Sequence, residues 1–192
     1  CCNTNRPIIK CDFFRYLLLF HFGGFYMDLD FSVIRNLDEL VIAHNDSEII
    51  LTHEAYNSAE VNNTLHNGFM YSAEPYCTFF KNICDSIIMH DVVSISEQDV
   101  YRITGTKLLC SFWKKYNGMY SISVLPFHIV CSHWFINSDN NKKLFDEELR
   151  KDMYQSSWIF LTIHEVKKLK ATLIDKGSYA VCIVMNHGSY WK

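Results

Sequence analysis

The sequence is poor in residues that interrupt or link secondary structure: 192 residues include only three prolines and seven glycines. Low-complexity segments and internal repeats are also missing, which argues against disorder, long linkers and solenoid architectures. No apolar run reaches the roughly 20 residues that span a bilayer, and no signal-peptide pattern is present. We therefore expect a soluble chain without a transmembrane segment.

Charge of one sign is equally scarce. The formal net charge is -3, and charged residues make up 20% of the chain. Because no basic surface is indicated, nucleic acid is not expected as a partner. With 49% of the residues hydrophobic, the chain can bury one sizeable core, so a single domain over residues 1–192 is predicted.

Eight cysteines are present, but they form no CxxC pair and no regular spacing. A zinc site is therefore not expected, and a core of this size needs no disulfide bonds. Mostly reduced thiols are predicted, which favours a reducing compartment such as the cytoplasm.

The apolar periodicity predicts helices alternating with strands, which is typical of an α/β layer architecture. The first helix is predicted over 12–22 with Asp12 as its cap, followed by a break at Gly23-Gly24 and a strand over 25–33. Further predicted strands cover 48–52, 92–95, 120–125, 157–163 and 179–185. Further predicted helices cover 74–89 and 107–116, and 141–151 is a polar helix face or a loop.

Two aspartates interrupt the predicted strand. Side chains two residues apart share a face, so Asp28 and Asp30 are expected to point the same way, about 6.6 to 6.8 Å apart, while Leu29 and its apolar neighbours face the core. Such close carboxylates repel unless a cation lies between them, and Mg²⁺ or Mn²⁺ suit oxygen ligands. Two solvated turn carboxylates are the alternative explanation. The apolar surroundings, in which an uncompensated charge costs several kcal/mol, favour the metal site.

The segments CDFFRYLLLF (residues 11–20) and GGFYMDLD (residues 23–30) resemble the Asp-x-Asp glycosyltransferases of family 32, which include yeast-type α-1,6-mannosyltransferases. The resemblance implies a Rossmann-like GT-A fold of the α/β class. It also implies retaining transfer of a hexose from a UDP- or GDP-sugar to a hydroxyl of a glycan, lipid or protein acceptor. Mn²⁺ or Mg²⁺ would be bound at Asp28 and Asp30.

The first segment also implies donor-binding residues. Asp12 and Arg15 match the family's Asp-x-x-Arg, which contacts the donor sugar and its diphosphate, and Arg15 joins Asp28 and Asp30 as a catalytic residue. Tyr26 matches the tyrosine before the first aspartate. From the residues alone, an ion pair between Asp12 and Arg15 on the helix surface is the preferred explanation, and core packing explains Tyr26 equally well.

Two internal segments extend the resemblance. HNGFMYSAEP (residues 66–75) supplies Asn67 as a donor-binding residue, although Asn-Gly is also a turn signal. Thr104-Gly105-Thr106 is similar to the family's Thr-Gly-Pro loop, which borders the acceptor side.

The C-terminal residues 179–191 resemble the family's ending, in which a histidine precedes Gly-Ser-Trp. This similarity implies His187 as a ligand of the metal or the diphosphate, and Trp191 as a packing surface for the nucleotide or sugar. A surface histidine is the alternative for His187.

Family members usually carry several tens of residues before the Asp-x-x-Arg helix, whereas nine residues precede Lys10 here. An N-terminally truncated GT-A domain is therefore expected. Two other interpretations stay open: a non-catalytic remnant with a metal- or sugar-binding face, and a toxin-like protein glucosyltransferase. Relatives often work in the Golgi behind a membrane anchor, so a missing anchor would change the expected location.

Overall fold

A computed structural model of the protein describes residues 6–29, 31–53, 64–90, 96–126, 129–130 and 177–182. The helices are α1 (Pro7–Phe22), α2 (Leu37–Ala43), α3 (Thr78–Ile88), α4 (Glu97–Ile103) and α5 (Thr106–Tyr116). The strands are β1 (Gly24–Met27), β2 (Phe31–Val33), β3 (Ile49–His53), β4 (Leu65–Ser72), β5 (Ile122–Leu125) and β6 (Ala180–Cys182). The elements predicted at 92–95, 141–151 and 157–163 lie outside the described residues.

The described residues fall into two compact units. The first holds residues 6–28, 44–53, 64–90 and 96–125, and the second holds 29, 31–43, 126, 129–130 and 177–182. The single domain over 1–192 stays a prediction.

The first unit contains a four-stranded sheet in the order β1-β4-β3-β5. Strand β4 pairs antiparallel with both β1 and β3, whereas β3 and β5 run parallel. Helices α1, α3 and α5 contribute to one hydrophobic core with this sheet. The predicted mixed α/β class is therefore confirmed.

Helix α1 supplies one side of that core. Ile9, Phe13, Tyr16 and Leu19 recur at steps of three and four residues and are all buried, as expected for the inner face of an amphipathic helix. The face they form meets buried side chains of α3, namely Phe79, Phe80, Ile83, Cys84 and Ile87.

The predicted start of α1 at Asp12 is wrong. The helix begins at Pro7, because proline is favoured in the first turn, where its missing N–H costs no hydrogen bond. Asp12 therefore lies inside the helix and on its buried side. The predicted break is confirmed: Gly23 and Gly24 have φ of 62° and 73°, a region that favours glycine.

The single strand predicted over 25–33 is also wrong. Strand β1 ends at Met27, where it is paired with Phe69 of β4, and the next strand, β2, pairs with β6 instead. Leu29 lies between them and is fully exposed rather than buried. Alternation in the sequence reports which residues share a face, but it does not report which neighbouring strand supplies the hydrogen bonds.

Most other predicted elements of the described residues are confirmed with shifted ends. Strands β3 and β5 and helix α5 lie within one or two residues of prediction. Helix α3 begins at Thr78 rather than at 74, because Pro75 and Tyr76 form a turn in which Tyr76 has φ of 62°. Only 180–182 of the strand predicted over 179–185 is described as β6. Helices α2 and α4 and strand β4 were not predicted.

The second unit pairs β2 antiparallel with β6. Arg35 lies over the ring of Tyr179, 4.3 Å from its centroid, and forms an ion pair with Glu39 of α2 at 2.6 Å. Among the described helices, none has the length and apolarity required to cross a membrane.

Candidate functional site

Predicted site residues from four separate parts of the first unit meet in one polar cluster. Asp12 and Arg15 come from α1, Asn67 from β4, and Thr104 from the junction between α4 and α5. The fourth part is the end of β1, which contributes Tyr26 and Asp28.

Asp12 lies at the centre of the cluster and is 4% exposed. Its Oδ1 accepts from Arg15 Nη2 and from Asn67 Nδ2, both at 3.1 Å, and its Oδ2 accepts from Thr104 Oγ1 at 2.8 Å. Burial raises the pKa of Asp12, while Arg15 and the hydrogen bonds from Thr104 and Asn67 lower it. The carboxylate is therefore anchored on both oxygens but poorly solvated.

Arg15 connects this anchor to the end of β1. It is 4% exposed, and its Nη1 donates to the backbone oxygen of Asn67 at 2.7 Å and to Asp28 Oδ2 at 3.3 Å. Burial alone lowers the pKa of Arg15, but the charges of Asp12 and Asp28 outweigh it and raise the pKa above its ordinary value. The guanidinium is consequently a permanent cation held between two carboxylates.

The Nε–H of Arg15, unlike its two terminal nitrogens, makes no described hydrogen bond. This Nε is buried and has no hydrogen-bond partner within the described part of the chain. The guanidinium carbon lies 5.2 Å from the centroid of the Tyr26 ring, an arrangement in which the ring face attracts a cation. Tyr26 thus helps to hold the arginine from the side that lacks a hydrogen bond.

Asp28 directly follows β1, and its side chain is 32% exposed. Its Oδ1 accepts from the Tyr26 hydroxyl at 2.7 Å, and its backbone N–H donates to Gly68 O at 2.8 Å. The pKa of Tyr26 is raised by burial and by Asp28, against the effect of Arg15, so the phenol keeps its proton as a donor.

Gly68 is the close neighbour of this carboxylate. A Cβ at position 68 would lie 2.4 Å from His66 Cε1 and 2.6 Å from Asp28 Oδ2. His66 Nδ1 in turn accepts from the Gly68 N–H at 3.0 Å. Only a glycine therefore leaves the Asp28 carboxylate and the His66 ring their present places.

The sequence analysis did not identify Tyr16 as a polar member of the cluster. The Tyr16 hydroxyl lies 3.5 Å from Asn67 Nδ2 and 3.5 Å from the carbonyl oxygen of Gly105. Burial and the Asp12 charge raise its pKa, so this hydroxyl also stays protonated. Its position four residues after Asp12, on the same face of a helix, was the available signal.

Thr104 and Gly105 are both buried. The Thr104 hydroxyl points at Asp12, and a Cβ at Gly105 would lie 3.1 Å from Tyr101 Cα. Their predicted place on the acceptor side stays a prediction. The turn considered for Asn67 is wrong, because this residue lies within β4.

Three predicted residues, Asp30, His187 and Trp191, lie outside the described residues. In the part of the chain that the structure describes, no group of three His, Cys, Asp or Glu side chains is placed to hold a metal. Of the predicted metal ligands, Asp28 is the one among the described residues, and its carboxylate offers about four lone-pair sites of the hard oxygen type that Mg²⁺ and Mn²⁺ prefer. Its two described side-chain hydrogen bonds occupy one site on each oxygen.

Comparison with known proteins relates the segment that holds part of this cluster to a protein family. Residues 3–48 match the family described as "Glycosyltransferase sugar-binding region containing DXD motif". The matched segment contains Asp12, Arg15, Tyr26 and both aspartates of the Asp-x-Asp triplet. Over this segment the chain is similar to a glycosyltransferase sugar-binding region, and the predicted resemblance is confirmed.

A similar curated protein is the initiation-specific alpha-1,6-mannosyltransferase of Candida albicans. It is 46% identical over 46 residues, which cover 24% of this chain and 11% of the relative. The match therefore spans about a tenth of the length of the relative. No solved structure matches the chain significantly.

Proposed function

We propose that this chain is a metal-dependent, retaining hexosyltransferase domain of the GT-A type, which transfers a hexose from a nucleotide-diphosphate sugar to an acceptor hydroxyl. The observation that carries the proposal is the Arg15 guanidinium. It is buried, anchored by Asp12 and directed at Asp28, and all three residues lie in the segment that matches the sugar-binding region.

The proposed reaction breaks the bond between the anomeric carbon and the diphosphate oxygen. The nucleoside diphosphate leaves with the bonding electron pair, the acceptor oxygen forms the new bond to the anomeric carbon, and the proton of the acceptor hydroxyl passes to the departing diphosphate. Negative charge develops on the leaving diphosphate, and preorganised positive charge at such a position is commonly the largest catalytic contribution. A guanidinium fixed before the reaction fits this task because its positive charge is already in place, beside Asp28, when the diphosphate leaves.

Asp28 and Asp30 are the proposed metal ligands, with His187 as a further candidate. When bound, Mn²⁺ or Mg²⁺ would supply Lewis-acid assistance to the leaving diphosphate. The oxygen chemistry and the partial exposure of Asp28 support its part in this assignment. Tyr26 orients the Asp28 carboxylate through its hydroxyl.

The remaining assignments complete the donor and acceptor sides. Asn67 supports the donor site by holding both Asp12 and Arg15. Trp191 is proposed to pack on the nucleotide or sugar, and Thr104-Gly105 to border the acceptor. A UDP- or GDP-hexose and a hydroxyl of a glycan, lipid or protein are the corresponding partners.

Donor hydrolysis tests the proposal. Purified protein with Mn²⁺ and a panel of UDP- and GDP-hexoses is expected to release nucleoside diphosphate. Arg15→Lys keeps the charge but loses the fork, so we expect kcat to fall by about 100-fold. The control Arg102→Lys changes an exposed arginine that pairs with Asp99, and it should leave kcat unchanged.

The alternatives predict other outcomes. No release across the panel, from a protein that unfolds cooperatively, would overturn the transferase proposal and favour a sugar-binding role without transfer. A mass increase of one hexose on an added protein would identify a protein acceptor, as the toxin-like interpretation requires.

A further inference from the structure

Thr104 makes a hydrogen bond for which the proposed acceptor role gives no reason. The residue is 0% exposed, and its hydroxyl lies 2.8 Å from Asp12 Oδ2 and 3.1 Å from the carbonyl oxygen of Val100. A hydroxyl has one proton to donate, and a charged acceptor forms the shorter and stronger bond. The Asp12 carboxylate, at the shorter distance, is therefore the preferred acceptor of the Thr104 hydroxyl.

The backbone around Thr104 is held rigidly enough to position that hydroxyl. The N–H groups of Thr104 and Gly105 both donate to Val100 O, at 2.9 Å and 3.0 Å. At the other end of α4, Ser96 Oγ accepts from Asp99 N at 3.2 Å and caps the helix. Gly105 lies too close to Tyr101 for any side chain to fit without a shift. The end of α4 is thus fixed against α1.

We infer that Thr104 is a positioning residue, which sets the Asp12 carboxylate and, through it, the Arg15 guanidinium. With Oδ2 engaged by Thr104, the plane of the carboxylate is fixed, and Oδ1 is presented to Arg15 Nη2. Arg15 can then direct Nη1 at Asp28. In this arrangement Asp12 acts through Arg15, because both of its oxygens are already engaged by the buried groups of Arg15, Asn67 and Thr104. The effect on catalysis rests on the proposed function, whereas the effect on Arg15 does not.

Thr104→Val tests the inference because valine keeps the shape and removes the hydroxyl. Thr52→Val is a matched control: Thr52 is also 0% exposed, and its hydroxyl donates to the backbone oxygen of Phe69 at 3.1 Å rather than to a side chain of the cluster. Thr104→Ser restores the hydroxyl and should behave as wild type. Should the valine variant not fold, Thr104→Cys, with its weak S–H donor, replaces it.

Two measurements separate positioning from a general structural role. In the free protein, nuclear magnetic resonance of the Arg15 Nε–H is expected to show faster exchange with water in Thr104→Val than in wild type, Thr104→Ser or Thr52→Val. In the donor hydrolysis assay, kcat of Thr104→Val should fall by about 10- to 100-fold, a range typical of lost supporting contacts, with KM nearly unchanged.

The outcomes are distinguishable. Faster exchange at Arg15 with a wild-type protein that is itself inactive would support the positioning role and reject the proposed function. Unchanged Arg15 exchange in a folded Thr104→Val protein would overturn the inference. An equal fall of kcat in Thr104→Val and Thr52→Val would also overturn the inference, because the loss of any buried threonine hydroxyl would then have the same effect.

Discussion

Arg15 and Asp28 form an ion pair of 3.3 Å between the middle of helix α1 and the residue that follows strand β1. The pair joins the two parts of the sugar-binding segment, which are separated by the Gly23-Gly24 turn. Its geometry explains why the two parts occur together: the helix supplies a fixed cation and the strand end supplies the carboxylate that faces it.

Removing the Asp12 carboxylate should strongly destabilise the fold. Asp12→Ala leaves the buried Arg15 with one carboxylate fewer, and the loss of one partner of a buried pair costs about 3–5 kcal/mol. The free energy of unfolding in urea measures the effect. Asp85→Ala is the control, because the Lys81–Asp85 pair on α3 is half exposed and such a pair contributes about 0.5 kcal/mol or less. Equal losses in both variants would contradict the prediction.

Asp12 should also give stability a recognisable pH dependence. Burial raises its pKa above the ordinary 3.8. From pH 3.8 up to the raised pKa, the folded state holds a proton that the unfolded state has released. The stabilisation due to this proton is present below pH 3.8 and is lost as the pH rises through the raised pKa.

Unfolding curves of wild type and Asp12→Asn at stepped pH measure this contribution. We expect the difference in the free energy of unfolding, wild type minus Asp12→Asn, to fall with rising pH. A difference that rises with pH would mean that the ion pair with Arg15 outweighs burial and lowers the pKa of Asp12.

Gly68→Ala should weaken metal binding more than it weakens the fold. The added methyl group would meet the Asp28 carboxylate and the His66 ring, both of which are side-chain ends that can move. We expect a stability loss of about 1–3 kcal/mol and, because Asp28 is displaced, Mn²⁺ affinity about tenfold lower by calorimetry.

Gly118→Ala provides the comparison for position 68. Gly118 has φ of 93° and open space around it, so alanine there costs about 1–2 kcal/mol of backbone strain without touching Asp28. Its Mn²⁺ affinity should equal that of wild type. Unchanged affinity in Gly68→Ala as well would remove Asp28 from the proposed metal site.

The described cysteines should differ sharply in reactivity. Burial, with a contribution from Asp85, raises the pKa of Cys84 to about 12, whereas Cys11 is exposed. Because the thiolate is the reactive form, Cys11 should be alkylated by iodoacetamide at pH 8 well before Cys84. Peptide mass spectrometry after timed quenching measures the order, and simultaneous labelling in the folded protein would contradict it.

The sequence predicted local features well where short-range rules decide. The apolar spacing on α1 and α5, the Gly23-Gly24 break and strand β3 all follow from residues within a turn or two of each other. The break between β1 and β2 did not follow. It depends on which strand pairs with each segment, and β4 and β6 lie far away in the chain.

The site shows the same division. The segments with the Asp-x-x-Arg and Asp-x-Asp spacings resembled a glycosyltransferase family, and the match over residues 3–48 confirms that resemblance. Spacing did not show that Asp12 is buried, that Tyr16 contributes a hydroxyl, or that Thr104, 92 positions from Asp12, supplies a hydrogen bond.

The sequence by itself thus determined which residue types are available for a charged, oxygen-rich site, and where α1 and β1 place them along the chain. Only the tertiary structure decided which of them touch. Burial and hydrogen-bond direction arise from the packing of α1, β4 and the end of α4 against each other, and no local spacing encodes a contact between segments that are distant in the chain.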